Sequence, residues 1–161
     1  MNRGSWSRRG SWGRLFVLVG CLLAWSCGGG DDGPAPPPPP VRTMIQQGGW
    51  NLASLSDAQD AGLPLDAGRT DFTISGNAGT LEVVVDWTFT ANAVGFGVYR
   101  GNCTFTQWYA DSCQQIDIRT LTNAKPARLT ISNFGAGAYT LVIANGGPGA
   151  ESGTYQIFIT R

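Results

Sequence analysis

Residues 80–88 read TLEVVVDWT, and their side chains alternate in character along the stretch. In an extended strand every second side chain lies on the same face, so one face here is wholly apolar and the other is mixed. The apolar face is Leu81, Val83, Val85 and Trp87, and the mixed face is Glu82, Val84 and Asp86. The pattern predicts a β-strand with one buried face. Residues 94–98, VGFGV, repeat it with glycines between the larger apolar residues.

Further short segments of this kind lie on both sides of residues 80–98, separated by Gly, Asn, Asp and Pro. We predict strands at 50–52, 71–75, 114–120, 127–133, 138–144 and 154–160, a turn at 76–79 and a hairpin turn at 135–137. Ser56 and Gln59 have the spacing of a capping box and predict one helical turn at 56–60. Seven or eight short strands predict an all-β fold, a two-sheet antiparallel β-sandwich.

The first 26 residues have a different character. Residues 1–14 carry four arginines and no acid, and residues 15–26, LFVLVGCLLAWS, are uncharged and largely apolar. This apolar run is shorter than the roughly 20 residues that a membrane-spanning helix needs, and it fits the core of a signal peptide. An uncleaved anchor helix and an ordinary secretory signal are the alternatives.

The run ends in Ala24-Trp25-Ser26-Cys27, which resembles a lipobox, the cleavage motif of bacterial lipoprotein signal peptidase. The resemblance implies that Cys27 becomes the first mature residue and carries diacylglycerol, with a further acyl chain such as palmitate on its amino group. Cys21, after Leu18-Val19-Gly20, is the alternative, but cleavage there leaves a much shorter apolar core. With Gly28 and not Asp after Cys27, analogy with enteric bacteria implies the outer membrane, on its periplasmic or surface face.

Residues 27–43 are predicted to be the lipidated cysteine and a tether, and residues 44–161 the folded domain. Residues 28–40 contain no apolar side chain larger than that of alanine or proline, and Pro36–Pro40 favours an extended polyproline II spacer. A proline run can instead be a ligand for an aromatic groove. In this position the spacer is the favoured interpretation.

Cys103 and Cys113 lie ten residues apart in the one stretch of the domain without a strand pattern. Export places the domain where disulfides persist, so we expect these two residues to form one. A metal pair is the alternative, but it lacks a third and a fourth Cys or His ligand.

Composition argues against several functional classes. The chain has no histidine, which removes His-based nucleophile systems and His-ligated zinc. Arg3, Arg8, Arg9 and Arg14 are four of the 11 basic residues, and all 11 acidic residues follow residue 26, so the remaining chain has a net charge of −4. This charge and the absence of a basic cluster argue against nucleic acid.

The acidic residues also fail the spacing of known sites. Glu82 and Asp86 share a strand face, but their Cα atoms are about 13–14 Å apart, beyond the separation of paired glycosidase carboxyls. The aspartates at 57, 60, 66 and 71 could supply oxygens to Ca²⁺, although their spacing is not that of an EF-hand loop. We therefore predict no catalytic residues, no metal site and no cofactor.

Trp108 and Tyr109 are the candidate binding residues. They are adjacent inside the predicted disulfide loop, so they point in different directions. Exposed aromatic side chains stack on sugar rings or anchor a protein partner. The alternative is that one of them lies under the loop and covers the edge of the sandwich, while Trp50 and Trp87 belong to the core.

Residues 72–160 resemble the bacterial pre-peptidase C-terminal (PPC) domain, in lipoproteins of the myxobacterial type. The resemblance rests on residues 79–87, GTLEVVVDW, on residues 94–99, on residues 135–143, GAGAYTLVI, and on residues 155–157, YQI. It implies a jelly-roll-like sandwich that is not catalytic. The family's two aspartates in its D-L-D-L strand align with Ala93 and Gly95, so a ligand that depends on those carboxylates is not expected.

Together these observations predict a monomeric, lipid-anchored, non-catalytic β-sandwich of the cell envelope with a binding or accessory role. The expected partners are the membrane, through the anchor, and an envelope protein or a glycan. A carbohydrate-binding module that uses Trp108 and Tyr109 is the alternative. A secreted hydrolase with an unusual site is the third hypothesis.

Overall fold

The computed structural model describes residues 36–161. The predicted signal peptide, Cys27 and the first part of the tether lie outside the described residues. The elements in chain order are β1 (Arg42–Leu52), α1 (Leu55–Asp60), β2 (Asp66–Ile74), β3 (Gly79–Trp87), β4 (Val94–Arg100), α2 (Phe105–Tyr109), β5 (Gln115–Thr122), β6 (Ala127–Phe134), β7 (Gly137–Asn145) and β8 (Glu151–Thr160).

The eight strands form two four-stranded antiparallel sheets. Sheet I has the order β1-β8-β3-β6 and sheet II the order β2-β7-β4-β5. This arrangement is a jelly roll, and it confirms the predicted two-sheet sandwich. Only β4 and β5 are consecutive strands of one sheet, so every other connection passes from one sheet to the other.

The core lies between the sheets and confirms the alternation in residues 80–88. Leu81, Val83 and Val85 are fully buried, and Trp87 is 3% exposed. Trp50 and Trp87 both belong to this core, as predicted, and the indole nitrogen of each is buried without a hydrogen-bond partner among the described residues.

The prediction of a hairpin turn at residues 135–137 is wrong. β6 pairs with β3 in sheet I, whereas β7 pairs with β2 and β4 in sheet II. The two strands therefore have no hydrogen-bonded ladder in common, and the Gly135–Ala136 turn carries the chain from one sheet to the other.

The helical turn near residue 56 is present, but its predicted cap is wrong. Ser54 has extended backbone angles and its hydroxyl accepts a hydrogen bond of 3.1 Å from the backbone N–H of Asp57. Ser54 is therefore the N-cap, and Ser56 lies inside the first turn, where it cannot cap the helix.

The first strand begins at Arg42, before the predicted domain start at residue 44. Arg42 and Thr43 pair with Thr160 and Ile159 of β8. Ahead of them, the backbone N–H of Val41 donates to the carbonyl of Arg161 at 2.7 Å, and the N–H of Arg161 donates back at 3.1 Å. The pairing thus reaches within one residue of Pro40, where the exposed proline run ends.

Candidate functional site

The connection between β4 and β5 crosses the outer face of sheet II and contains the short helix α2. Thr104 caps this helix: its hydroxyl accepts from the N–H of Gln107 at 3.3 Å, and the Gln107 side chain accepts from the N–H of Thr104 at 3.0 Å. Cys103 and Cys113 close the connection with a disulfide, which confirms the predicted pair. The cap and the disulfide together fix the position of Trp108.

Trp108 is the residue of the aromatic pair that covers the sandwich. Its indole Nε1 donates a hydrogen bond of 2.8 Å to the hydroxyl of Tyr99 on β4. Trp108 is half-buried and packs on a second apolar cluster, separate from the main core. That cluster comprises Ala67, Tyr99, Cys103, Val142 and Ala144, with Leu65 and Cys113 at its border.

Tyr109 holds the same helix at a second point. Its hydroxyl donates to the backbone carbonyl of Leu65 at 2.9 Å. The rings of Trp108 and Tyr109 are 5.0 Å apart at an interplanar angle of 61°. Because the two rings are tilted in this way, they do not form one flat stacking surface.

Two glycines on the outward face of β4 leave room for the neighbouring side chains. The side chains of Val94, Phe96 and Val98 point into the core, so positions 95 and 97, both glycine, lie on the outward face of the strand. A Cβ on Gly97 would lie 2.8 Å from Ile118 Cγ2 and 3.1 Å from the Tyr99 ring. The absence of side chains at these two positions lets larger neighbours lie over the strand.

An apolar groove of about 200 Å³ follows from this arrangement. Trp108, Tyr99 and Leu65 lie along it, together with the β5 residues Ile118 and Leu121. Ile118 and Leu121 are 41% and 48% exposed, so the groove is open to solvent. We call this site the Trp108 groove; its lining also includes Gly95, Gly97, Val142 and Ala144 and the polar residues Arg119 and Thr120.

Tyr99 supplies the hydroxyl group of the groove. Burial raises the pKa of Tyr99, and the charge of Asp111 also raises it, against a lowering effect of the hydrogen bond from Trp108. The hydroxyl therefore stays protonated at neutral pH. It accepts a hydrogen bond from Trp108 Nε1, and its own O–H has no acceptor among residues 36–161.

The two acidic residues of β3, Glu82 and Asp86, have separate partners. Glu82 accepts hydrogen bonds from Arg42 and Arg128, which lie on the two edge strands of sheet I, β1 and β6. Burial raises the pKa of Glu82, but the hydrogen bonds and charges of these two arginines outweigh it, so the pKa is lowered. Asp86 is exposed and its carboxylate accepts from the N–H of Trp87.

The most buried carboxylate, Glu151, also has a structural role. It is 3% exposed and accepts hydrogen bonds from the N–H groups of Thr88, Phe89 and Ser152 and from the Asn92 side chain. Burial raises its pKa, yet these hydrogen bonds outweigh burial and lower it. A carboxyl group with a lowered pKa is a poor general acid at neutral pH.

Three of the four aspartates considered as calcium ligands have separate hydrogen-bond partners. Asp57 accepts from Ser54, Asp66 from the backbone N–H of Ala53, and Asp71 from Thr140 at 2.7 Å. Within residues 36–161, no three His, Cys, Asp or Glu side chains group in a way that could hold a metal ion. In the same part of the chain, no helix has the length and apolar character needed to cross a membrane.

Sequence reasoning found Trp108 but missed the groove beside it. The useful signal was the pair Gly95 and Gly97, two positions apart on the outward face of a strand whose other face is core. Ile118 gave no such signal, because strict alternation would place it on the same face as Ile116, which packs against the core, whereas the β4–β5 pairing contains register shifts. Tyr99, the hydrogen-bond partner of Trp108, gave no signal of its own.

Comparisons with known proteins were made from both sequence and structure. A scan against protein-family models gives no match, and neither does a search of the curated proteins. The fold is similar to that of a chain from the disulfide-linked pili of Bacillus endospore appendages, with a TM-score of 0.42 and 15% identity over 75% of this chain and 86% of that one. It is also similar to Aeromonas hydrophila PliG, a periplasmic inhibitor of g-type lysozyme, with a TM-score of 0.39 and 11% identity over 76% and 86%. These values assign the chain to no family.

Proposed function

We propose that this protein is a lipid-anchored, non-catalytic binding module of the cell envelope, and that the Trp108 groove takes an apolar group of a protein partner. The observation that carries the proposal is the groove itself. It is an open apolar depression held in place by a capped helix, a disulfide and the Trp108–Tyr99 hydrogen bond. An exposed apolar depression with few polar groups is the usual form of an anchor site for a partner side chain.

The chemistry of the lining favours an apolar group over a sugar. A sugar ring brings many hydroxyl groups that need hydrogen-bond partners, because a buried polar group without a partner is costly. The polar residues that line the groove are few: Arg119, Thr120 and Tyr99 with its hydroxyl. An apolar side chain such as that of Leu, Phe or Pro needs no hydrogen-bond partner.

Carboxylate chemistry supports a role without catalysis. Both glutamates have lowered pKa values because arginine or N–H donors hold their charged forms. The sequence has no histidine to act as a base.

Pro36–Pro40 supports the anchor. These residues are exposed, and the chain passes through Val41 directly into an edge strand. A polyproline II run of this length spans about 15 Å and separates a domain from a bilayer surface. Lipidation at Cys27 would attach this spacer to the membrane, and two or three acyl chains are sufficient for stable attachment.

Carbohydrate binding is the second candidate function. Phe105 is 38% exposed, and its ring lies 6.4 Å from that of Tyr109 at an interplanar angle of 29°. This pair forms an aromatic surface on α2 on which a sugar ring could stack. Titration of the soluble domain with envelope polysaccharides distinguishes this function, because Phe105→Ala would then abolish the response and Leu121→Ser would not.

The anchor is tested by mass spectrometry of the mature amino terminus after expression in a Gram-negative host. We expect a diacylglyceryl-modified, N-acylated Cys27 and loss of residues 1–26. Cys27→Ala should leave the precursor unprocessed. An unmodified thiol at position 27, with the initiator methionine retained, contradicts the anchor.

The groove is tested by photo-crosslinking in intact cells. A photoreactive amino acid at position 121 lies at the groove, and the same residue at position 89 replaces an exposed phenylalanine, 57% exposed, outside it. We expect a discrete protein adduct from position 121 that Ile118→Asp removes, and no such adduct from position 89. Equal, diffuse labelling from both positions contradicts a binding role for the groove.

A further inference from the structure

We infer that the Trp108 groove of one copy binds the proline run, Pro36–Pro40, of a second copy of this chain. This inference rests on the proposed function, because it names the partner of the same groove. It gives the tether a second role besides that of a spacer. The ligand is part of the chain itself and is exposed in the structure.

The chemistry of the two surfaces is complementary. A proline run presents apolar rings and backbone carbonyls, and it has no N–H to satisfy. The groove presents the aromatic side chains of Trp108 and Tyr99 and the apolar side chains of Ile118 and Leu121. Its aromatic hydrogen-bond donor is the hydroxyl of Tyr99, whose proton has no acceptor among residues 36–161. An acceptor-only ligand thus meets a groove that offers a donor.

The conformation of the ligand favours this occupant over a flexible peptide. Five consecutive prolines already adopt the extended polyproline II helix, so little conformational entropy is lost when they bind. Pro-rich segments bind aromatic-lined grooves for this reason. Pro36–Pro40 is the only stretch of the sequence with this property.

Charge supports the same pairing. Asp31 and Asp32 precede the proline run, with Asp32 four residues before Pro36. Arg119 lines the groove and forms no ion pair within the described part of the chain. The negative charge of that segment would therefore favour a groove bordered by an arginine that has no acidic partner among residues 36–161.

The same copy cannot supply these prolines. The run ends one residue before β1, which is an edge strand of sheet I, whereas the groove lies on the outer face of sheet II over β4. Sheet-to-sheet and strand-to-strand spacings put this path at roughly 20 Å or more. The five prolines span about 15 Å and would have to lie inside the groove as well. The ligand must come from another molecule.

Anchoring makes a weak contact of this kind effective. Copies held on one membrane surface meet at a high local concentration, so that a contact too weak to persist in dilute solution is populated there. The tether of each copy can occupy the groove of the next, which produces chains or clusters of a protein that is monomeric in dilute solution.

The experiment uses a synthetic peptide of residues 28–41, GGGDDGPAPPPPPV, and a domain fragment of residues 41–161. This fragment contains all eight strands and the whole core, and residues 38–161 form a compact unit by themselves. It has three tryptophans, Trp50, Trp87 and Trp108, so its indole N–H signals in a ¹⁵N NMR spectrum are easily separated. A peptide in which serines replace residues 36–40 is the matched control.

We expect the peptide to shift the indole signal of Trp108 and the amide signal of Gly97 and to leave those of Trp50 and Trp87 in place. Leu121→Ser should weaken binding at least tenfold, and Phe89→Ser, an exposed apolar position outside the groove, should leave it unchanged. Ile118→Ser provides the same test if Leu121→Ser does not fold. Equal binding by the serine peptide or by both groove variants overturns the inference.

A fragment of residues 28–161 shows whether the contact forms between copies. We expect its Trp108 signal to move with protein concentration and its sedimentation coefficient to rise in parallel. Shifts that do not depend on concentration would mean that the tether binds its own domain, which overturns the inference. If the peptide does not bind while photo-crosslinking from position 121 captures a different envelope protein, the inference fails and the proposed function stands.

Discussion

The indole nitrogen of Trp108 donates a 2.8 Å hydrogen bond to the hydroxyl of Tyr99, and this bond joins the disulfide-closed connection to the outer face of sheet II. The two residues are nine apart in sequence, one on a short helix and one at the end of a strand. The bond fixes the orientation of the one indole ring that lines the groove. The geometry of the site therefore depends on a side chain of the sheet as well as on the helix.

Replacement of Tyr99 by phenylalanine removes this bond and retains the ring. We expect a loss of about 1 kcal/mol in the free energy of unfolding, the usual effect of one hydrogen bond between neutral groups. Urea denaturation followed by circular dichroism measures it. Trp108→Phe should cost a similar amount through the lost bond, and the double variant should cost less than the sum of the two because both lose the same bond. Strictly additive losses would contradict the coupling.

Removal of the disulfide should destabilise the domain without changing its sheets. Cys103 and Cys113 close an 11-residue loop, and the loss of this constraint on the unfolded chain costs roughly 3 kcal/mol. The double variant Cys103→Ala/Cys113→Ala and the reduced wild-type protein should lose similar amounts in urea unfolding. An unchanged free energy of unfolding, together with an unchanged Trp108 indole signal, would show that the disulfide neither stabilises the domain nor fixes the position of Trp108.

The carboxylate of Glu151 should make stability fall in acid. Its pKa in the folded protein is below the ordinary value of 4.5, so its contribution is present above about pH 4.5 and is lost as the pH falls through the folded pKa. Glu151→Gln should cost about 1.5–3 kcal/mol at pH 7, the range for hydrogen bonds to a buried charge. The difference between the variant and the wild type should shrink below pH 4.5 in urea unfolding measured at several pH values.

Glu82→Gln is the control for this prediction. The pKa of Glu82 is also lowered, but its ion pairs with Arg42 and Arg128 lie at the surface, where such pairs contribute about 0–1 kcal/mol. A cost at Glu82 as large as that at Glu151 would contradict the assignment of the acid sensitivity to the buried carboxylate.

Gly153 should tolerate no side chain. A Cβ there would meet the backbone carbonyl oxygen of Asp86 and would lie 2.7 Å from the Trp50 indole. Because a backbone atom of the central strand β3 cannot move aside, we expect Gly153→Ala to abolish soluble expression or to lower the melting temperature by well over 10 °C. Gly135→Ala is the matched control, since a Cβ there would have no neighbour within 4 Å. Similar behaviour of the two variants would contradict this account.

Much of the fold could be predicted because burial on one side of a strand leaves a two-residue period in the sequence. Residues 80–88 show that period, and Leu81, Val83 and Val85 are fully buried as it requires. β1 was largely missed because its middle reads QQGGW, in which glutamine and glycine hide the period. The passage from β6 to β7 was misread since local sequence specifies a turn and not the sheet to which each strand belongs.

The site was harder to predict than the fold because it is made by residues that are distant in sequence. Trp108 was a candidate by its type, but Leu65 and Val142 reach it only through the order of strands in sheet II. Tyr109 was a candidate for the same reason, and in the structure its hydroxyl donates a hydrogen bond to the backbone carbonyl of Leu65. Short-range patterns carry information on burial and caps, whereas a groove between non-adjacent strands needs the topology. The resemblance to the PPC domain stays a prediction.

The pair of backbone hydrogen bonds between Val41 and Arg161 has a mechanical consequence. If the tether is anchored as proposed, a pull on the domain enters it at Val41, through the two bonds to Arg161 and then the ladder between β1 and β8. Further tension would detach β1 from β8 starting at Arg42, because these pairs are loaded one after another from the end of the strand. The strands under the Trp108 groove belong to sheet II and share no ladder with β1, so the loss of this edge strand leaves their pairing intact.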